Sequence, residues 1–486
     1  MDIGHNDAYG TKQPKGQATT LLDLVSRDDQ DNTLFPLSAN VTRFTRDDSL
    51  RTIPFSSVMR EFTFRGPAEL GQRFVFELGD INCGDLIQGI FIQIQMSDWF
   101  TGFTRQSLET GSYRYSDPRQ AWTYINSLGT AILEEATLEV DDQILERITG
   151  DSLDIMSLLF PDLNTQIGLA DVEGRKALPD LKAQDGTRAL PTEDGWITVP
   201  LLFSMLRERL TATFPLIACR AGTMRVKVTL KRMDQLVRSI TGQRASCDDT
   251  PYGKSVSLVN ITNEQLITVE TPQVPFGLRQ IQLVTYGAFV DGPYREMLLR
   301  QPFERPFREI QQFDFTEPLK YVINKTSQDT VLIQLPLEAN QPVEEIVWFL
   351  RRKDAITLNN EWTNYSGTLE KDYNPVYCPL VPLLQSAKIQ ANGMDIVNQD
   401  ESWFRSHISR AHKGGKIAYD SYIYGYSFAR HPGQHDPTGT INASRLNSLR
   451  LTLEVKASSE WEVRVFVFAF QWLRFENGIC NKVFID

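Results

Sequence analysis

The sequence predicts a mainly β protein, and two observations carry that reading. Apolar residues alternate with polar ones along a series of short segments, and helical periodicity is confined to brief pieces. Proline and glycine fall between the apolar runs, as turn residues do in β chains.

In order, the alternating segments are Arg73–Gly79, Gly89–Met96, Ala136–Val140, Met224–Leu230, Thr330–Leu335, Leu449–Val455 and Trp461–Phe470. β-Branched and aromatic residues dominate one set of positions in each, as expected of half-buried strands. Helices are predicted over Leu201–Leu210 and Gly292–Leu299, where Pro293 suits a first helical turn. Long polar loops are predicted at Ser97–Gln120, Pro161–Gly195, Asp234–Thr271, Arg352–Ser386 and Asp395–Ala418. A boundary is placed in the middle loop, because a new apolar series starts at Phe276. This divides the chain into a flexible arm (1–20), a first unit (21–233), a linker and loop (234–275) and a second unit (276–486). Both units end in a strong strand, which suggests a duplicated fold without a clear sequence repeat. Many-stranded units of roughly 200 residues with little helix read as sandwiches or jelly rolls.

With 486 residues, 41% of them hydrophobic, and 27 Phe, the chain can fill more than one core. Its 61 acidic and 50 basic residues give a net charge of −11, which disfavours direct nucleic-acid binding. The longest basic run, Arg351-Arg352-Lys353, reads as a solvated loop. Cys83, Cys219, Cys247, Cys378 and Cys480 are scattered, with no C-x-x-C spacing for zinc or redox chemistry. The polar first residues lack a signal-peptide core, and no run approaches the ~18 apolar residues of a membrane span. A soluble product of a reducing compartment is expected.

Candidate chemistry is sparse. His431 and His435 are four residues apart, but Pro432 and Gly433 break any helix that would bring them onto one face. Asp436-Pro437-Thr438-Gly439 is itself a turn sequence. His407 and His412 have no partner at metal-ligand spacing, and Arg27–Thr33 lacks the glycine and distal Glu of a calcium loop. Phosphate-binding, dinucleotide-binding and serine-hydrolase motifs are absent. The acidic pairs Glu134/Glu135, Asp141/Asp142 and Glu344/Glu345 point to opposite faces if they lie on strands. The N-x-[ST] triplets at Asn40, Asn260, Asn324, Asn364 and Asn442 read as chance matches. No catalytic, cofactor-binding or metal-binding residue is predicted.

Taken in order, several segments resemble the major capsid proteins of the nucleocytoplasmic large DNA viruses, the group of iridoviruses, phycodnaviruses and marseilleviruses. Trp122-Thr-Tyr-Ile-Asn126-Ser-Leu-Gly129 is similar to an aromatic-x-x-N-x-L-G segment, followed by the acidic Ala136–Gly150 and by Asp151–Asp154. Trp196–Ala218, which contains Pro215, looks like the family's apolar run, and Met224–Leu230 like its closing strand. Asn340–Trp348 resembles a P-V-K-E-L-x-W strand, and Lys388–Gly393, ending in Asn392-Gly393, an L-x-x-N-G element. The best match is Tyr424–Ala429, with Ser427 and Phe428, followed by Pro437–Arg445, with Gly439, Asn442, Ser444 and Arg445. It is similar to Y-S-F-A…P-S-G-x-x-N-x-S-R. Leu24–Asp31 departs from the family's opening, and the usual P-S-G is P-T-G here.

The resemblance implies two eight-stranded antiparallel jelly rolls side by side, with long loops and short helices. It also implies a homotrimeric, pseudo-hexagonal capsomer that tiles an icosahedral shell, with no enzyme activity and no cofactor. Neighbouring capsomers, penton and minor capsid proteins would be its partners. Membrane contact would be only indirect, with assembly in the host cytoplasm and residence in the virion. In the Pro437–Arg445 block, Gly439 is expected to end the turn, Asn442 and Ser444 to satisfy loop backbone, and Arg445 to pair with an acid. The alternatives are a carbohydrate-binding or carbohydrate-active β-sandwich that uses its Trp residues as stacking platforms, or a single-roll penton or minor capsid component, which the length disfavours.

Overall fold

A computed structural model describes residues 53–79, 83–96, 121–175, 195–204, 213–241, 257–260, 278–316, 330–370, 373, 376–412, 421–434, 437–456 and 460–483. Contacts divide the chain into two units, Met1–Pro54 and Phe55–Asp486, and the elements described below belong to the second. The expected arm at 1–20 and the loop Ser97–Gln120 lie outside the described residues.

The first half contributes β1 (Phe55–Thr63), β2 (Arg73–Leu78), β3 (Leu86–Met96), β4 (Ala121–Tyr124), β5 (Leu133–Val140), β6 (Gln143–Thr149), β7 (Trp196–Pro200) and β8 (Met224–Leu230). They are followed by β9 (Val237–Thr241), β10 (Ser257–Asn260) and β11 (Leu278–Val290). Two antiparallel sheets form, ordered β1-β11-β3-β7 and β2-β8-β5-β6, with a small β10-β9-β4 sheet beside them. Alternation dictates which face is buried. Phe74, Phe76 and Leu78 of β2 lie opposite Val228, Val226 and Met224 of β8, and all six are buried. Ile90, Ile92, Ile94 and Met96 of β3 supply the facing layer. Each such side chain contributes about 1.5–3 kcal/mol when removed from water.

The second half contributes β12 (Phe303–Phe315), β13 (Thr330–Leu337), β14 (Pro342–Arg352), β15 (Leu384–Ala391), β16 (Met394–Asp400), β17 (Ile423–Ser427), β18 (Ile441–Asn442), β19 (Leu449–Lys456), β20 (Trp461–Glu476) and β21 (Ile479–Lys482). Its sheets are β12-β20-β14-β17, with β18 on β14 and β21 on β20, and β13-β19-β15-β16. The order of the first half therefore recurs in the second: an opening strand, then a late strand, then the third. The architecture is a double jelly roll.

β11 corrects the expected boundary. Its segment was placed at the opening of the second unit, yet Phe62 pairs with Leu283 and Ile92 also pairs with Leu283 from the other side. A strand's own sequence reveals that it is buried on both faces but not which partners flank it.

The predicted loops also conceal regular elements. Helices α1 (Leu128–Ala131), α2 (Gly150–Leu159), α3 (Leu163–Glu173), α4 (Gly292–Arg300), α5 (Lys353–Asn359) and α6 (Glu401–Ala411) are present. Of these, only α4 matches a predicted helix, with Pro293 in its first turn. Loop 161–195 contains α3, loop 234–271 contains β9 and β10, loop 352–386 contains α5, and loop 395–418 contains most of β16 and α6. Caps explain the helices. The Asp162 carboxylate accepts from Thr165 N at 2.9 Å, and the Asp400 carboxylate from Trp403 N at 3.2 Å. Of the helix predicted over 201–210, Leu201–Phe203 are not helical and 205–210 lie outside the described residues.

Candidate functional site

The residues with the most unusual chemistry line the seam between the two halves. A capping box starts α2: Thr149 Oγ1 accepts from Ser152 N at 3.3 Å, and Thr149 N donates to Ser152 Oγ at 2.8 Å. This places Asp151 in the first turn, facing Arg351 at the end of β14. Arg351 Nη1 and Nη2 donate to the Asp151 carboxylate at 2.9 and 3.2 Å. Its Nε and Nη2 donate to Glu462 Oε1 at 2.9 and 2.5 Å, and its Nη1 to Trp362 O at 2.6 Å. Arg351 is 0% exposed. The expected solvated basic loop is therefore a buried clamp, because β14 continues through Arg352 before the chain turns.

Burial alone would raise the Asp151 carboxyl, but the Arg351 guanidinium outweighs it and holds the group below the usual carboxylate range. Lys231 donates to the carbonyls of Ala131 and Leu133 at 2.7 and 3.1 Å and lies 4.5 Å from the Trp362 ring centroid. Burial pushes its pKa down to about 8. Asp154 accepts from Tyr365 Oη at 2.7 Å and Thr130 Oγ1 at 3.1 Å, and pairs with Arg175. Burial raises Glu173 to about 7, and its Oε1 has no hydrogen-bond partner among the described residues.

A second buried ionic group sits further along the seam. Arg308 donates to both Glu344 oxygens, at 2.6 and 3.2 Å, while its backbone N donates to Ser204 Oγ at 2.7 Å. Ser204 N in turn donates to Glu146 at 2.6 Å. Glu345 lies 2.8 Å from His412, whose ring meets the Phe160 ring edge-on at 5.0 Å. The two adjacent carboxylates on β14 thus have separate cationic or imidazole partners. Among the described residues, no group of three potential ligands can hold a metal ion.

The motif residues fall at turns and core contacts. Trp348 is buried against Phe404 and Tyr424. Asn392-Gly393 forms the two-residue turn between β15 and β16, both with positive φ, and Asn392 Oδ1 accepts from Asn447 N and Ser448 N. Ser427 Oγ bonds both backbone groups of Ala429, and Phe428 stacks edge-on with Tyr426. Thr438 Oγ1 accepts from His431 N at 2.9 Å and donates to His431 O, closing a turn that Pro437 leaves exposed; His435 and Asp436 lie outside the described residues. Gly439 has φ +150°, and a Cβ there would meet Phe428 O at 2.8 Å. Ser444 Oγ accepts from Gln341 N at 2.7 Å, while Asn442 pairs with Pro342 and Arg445 is exposed. In the first half, Asn126 Oδ1 accepts from Ser127 N, Gly129 packs on the Glu173 backbone, and Pro215 precedes a 3-10 turn; Trp122 lies in β4 opposite Ser239.

Two family profiles match: "Major capsid protein N-terminus" over residues 46–262 and "Large eukaryotic DNA virus major capsid protein" over 308–480. A major capsid protein of Phaeocystis pouchetii virus is 34% identical, covering 86% of this chain and 91% of its own length. The chain belongs to the major capsid protein family of large eukaryotic DNA viruses. The fold agrees. VP54 of PBCV-1 superposes with a TM-score of 0.65 at 15% identity, over 91% of this chain and 100% of its own. The Faustovirus major capsid protein gives 0.63 at 12% identity, over 95% and 100%.

In this capsid protein the seam joins first-half residues to second-half strands through Asp151–Arg351 and Ser204–Arg308. Sequence reasoning missed Asp151, Arg351 and Glu462 as a set. The available signals were the T-x-x-S capping pattern at Thr149 and an arginine inside the apolar strand that ends at Arg352. Trp348 and Trp461 are buried and offer no stacking surface to a carbohydrate. Asn364 is buried too, its amide donating to Glu361 and Thr368, so that triplet is closed to glycosylation in the folded chain.

Proposed function

We propose that three copies of this capsid protein assemble into a capsomer of pseudo-hexagonal outline that tiles an icosahedral shell. The observation that supports this is the strand order repeated in the two halves of one compact unit. The two four-stranded sheets of the first half make an eight-stranded roll that closes with β11, and the second half repeats the plan with β18 and β21 added, so the division between rolls falls after Val290 and α4 opens the connection. Two similar rolls per chain give three chains six-fold pseudosymmetry. The protein acts through buried contacts rather than catalysis, needs no cofactor, and meets neighbouring capsomers, penton and minor capsid proteins. With a net charge of −11 it leaves the genome to other components, and any membrane contact is indirect. Assembly takes place in the host cytoplasm. The motif residues, from Trp122 to Arg445, set turns and core contacts.

Light scattering of the purified chain, with negative-stain images of the same peak, tests this reading. The expected result is a particle of about three chain masses with hexagonal projections. A monodisperse monomer without that outline overturns it.

A further inference from the structure

Two cysteines from opposite halves meet at the seam. Cys219 ends the 3-10 turn Leu216–Cys219 ahead of β8, and Cys480 lies in β21. Both are buried in the same core cluster, with their thiols close enough to act on each other. The backbone holds the approach: Ala221 N donates to Gly478 O at 3.0 Å. Ala221 comes two residues after Cys219 and Gly478 two before Cys480, so this hydrogen bond brings the two cysteine-bearing segments together. The Phe214 and Phe475 rings, 5.8 Å apart, brace the same corner, and Phe475 is the β20 residue paired with Cys480. A disulfide spans Cα atoms about 4.4–6.8 Å apart, so thiols in mutual contact at a braced corner need little backbone movement to be joined.

We propose that Cys219 and Cys480 form a disulfide that ties the β20–β21 hairpin to the first half, by exchange with a small disulfide such as glutathione disulfide. β21 is a four-residue strand at a sheet edge, so local opening there exposes Cys480. The Cys480 thiolate attacks one sulfur of glutathione disulfide, forming a mixed disulfide and releasing one glutathione thiolate. When the hairpin docks again, the Cys219 thiolate attacks the Cys480 sulfur of the mixed disulfide and releases the second glutathione. Two protein thiols are oxidised, one glutathione disulfide is reduced to two thiols, and the two protons pass to those thiols. The hydrogen bond to Cys480, reinforced by burial, holds the Cys219 thiol well above its ordinary pKa. Closure is therefore slow in the docked state and depends on opening. The bond would close a loop of more than half the chain, which favours stabilisation through the unfolded state.

The full-length chain is incubated in glutathione buffers from reducing to oxidising, in sub-denaturing urea that opens the hairpin. It is then denatured, alkylated and mapped without reduction. The expected result is a linked Cys219–Cys480 peptide, about 2 Da lighter than its two free halves, while Cys83, Cys247 and Cys378 stay alkylated. The melting temperature of the oxidised chain rises by at least about 2 °C and falls back on adding dithiothreitol. Cys480→Ser, or Cys480→Ala if the serine does not fold, removes both the link and the difference in melting temperature between the oxidised and reduced chain. Full alkylation of both cysteines across the redox range overturns the proposal, as does linkage of either one only to glutathione or to another cysteine.

Discussion

Arg351 accepts the cost of complete burial because two carboxylates and a carbonyl meet its guanidinium. Removing it leaves the carboxylates of Asp151 and Glu462 with only the longer Arg464 contacts, at 3.9 and 3.5 Å. Arg351→Met is therefore expected to cost about 3–5 kcal/mol, read from urea denaturation midpoints. A loss under 1 kcal/mol would show that water replaces the arginine. Glu173 behaves in the opposite sense. Its folded pKa of about 7 lies above the ordinary 4.5, so the folded chain holds a proton that the unfolded chain has released. Its contribution is complete below pH 4.5 and is lost as pH rises to 7, a change of up to about 3 kcal/mol. Glu173→Gln should flatten stability across that window and raise it at pH 8. An unchanged pH profile would place the carboxylate in water. Lys231, lowered from 10.5 to about 8, adds the reverse slope: stability rises with pH between those values.

Turns and caps decide the boundaries of the elements. At Gly393, φ is +80° and a Cβ would meet nothing within 4 Å, so Gly393→Ala should cost only the backbone strain, about 1 kcal/mol. Thr149→Ala removes a capping box and should cost a similar amount, about 1 kcal/mol, visible as an earlier thermal transition. Strands were largely legible in the sequence: Met224–Leu230 matches in full, and Arg73–Leu78 to within a residue, because period-two burial leaves its mark on every residue. Helices α3, α5 and α6 were not, because they sit within polar stretches, where single residues such as Asp162, Gly174, Asn360 and Asp400 mark their ends. The seam was also hidden. Nothing in the spacing of Asp151, Arg351 and Glu462 along the chain brings them together, and a short basic run reads as solvated until its strand is known to be internal.

At the scale of the molecule, the seam couples the two rolls. The ion pairs of Arg351 and the Ser204–Arg308 contact link first-half residues to second-half strands, so the described body should unfold in a single calorimetric transition. Arg351→Met should split that transition into two. Two transitions already present in the unaltered protein would mean that the rolls melt independently.

The position of β11 governs how the molecule is made. It lies between β1 and β3, yet it follows them by roughly two hundred residues along the chain. As the chain leaves the ribosome, β1 and β3 emerge with a gap between them and wait for the strand that fills it. Until then both present bare hydrogen-bonding edges to every neighbouring chain, the condition under which β proteins aggregate. A chain ended at residue 277 would keep that gap for good and should precipitate, whereas one ended at residue 302 supplies the missing strand. Yield in recombinant production should thus depend on the pace of synthesis between β3 and β11 more than on any property of the finished shell.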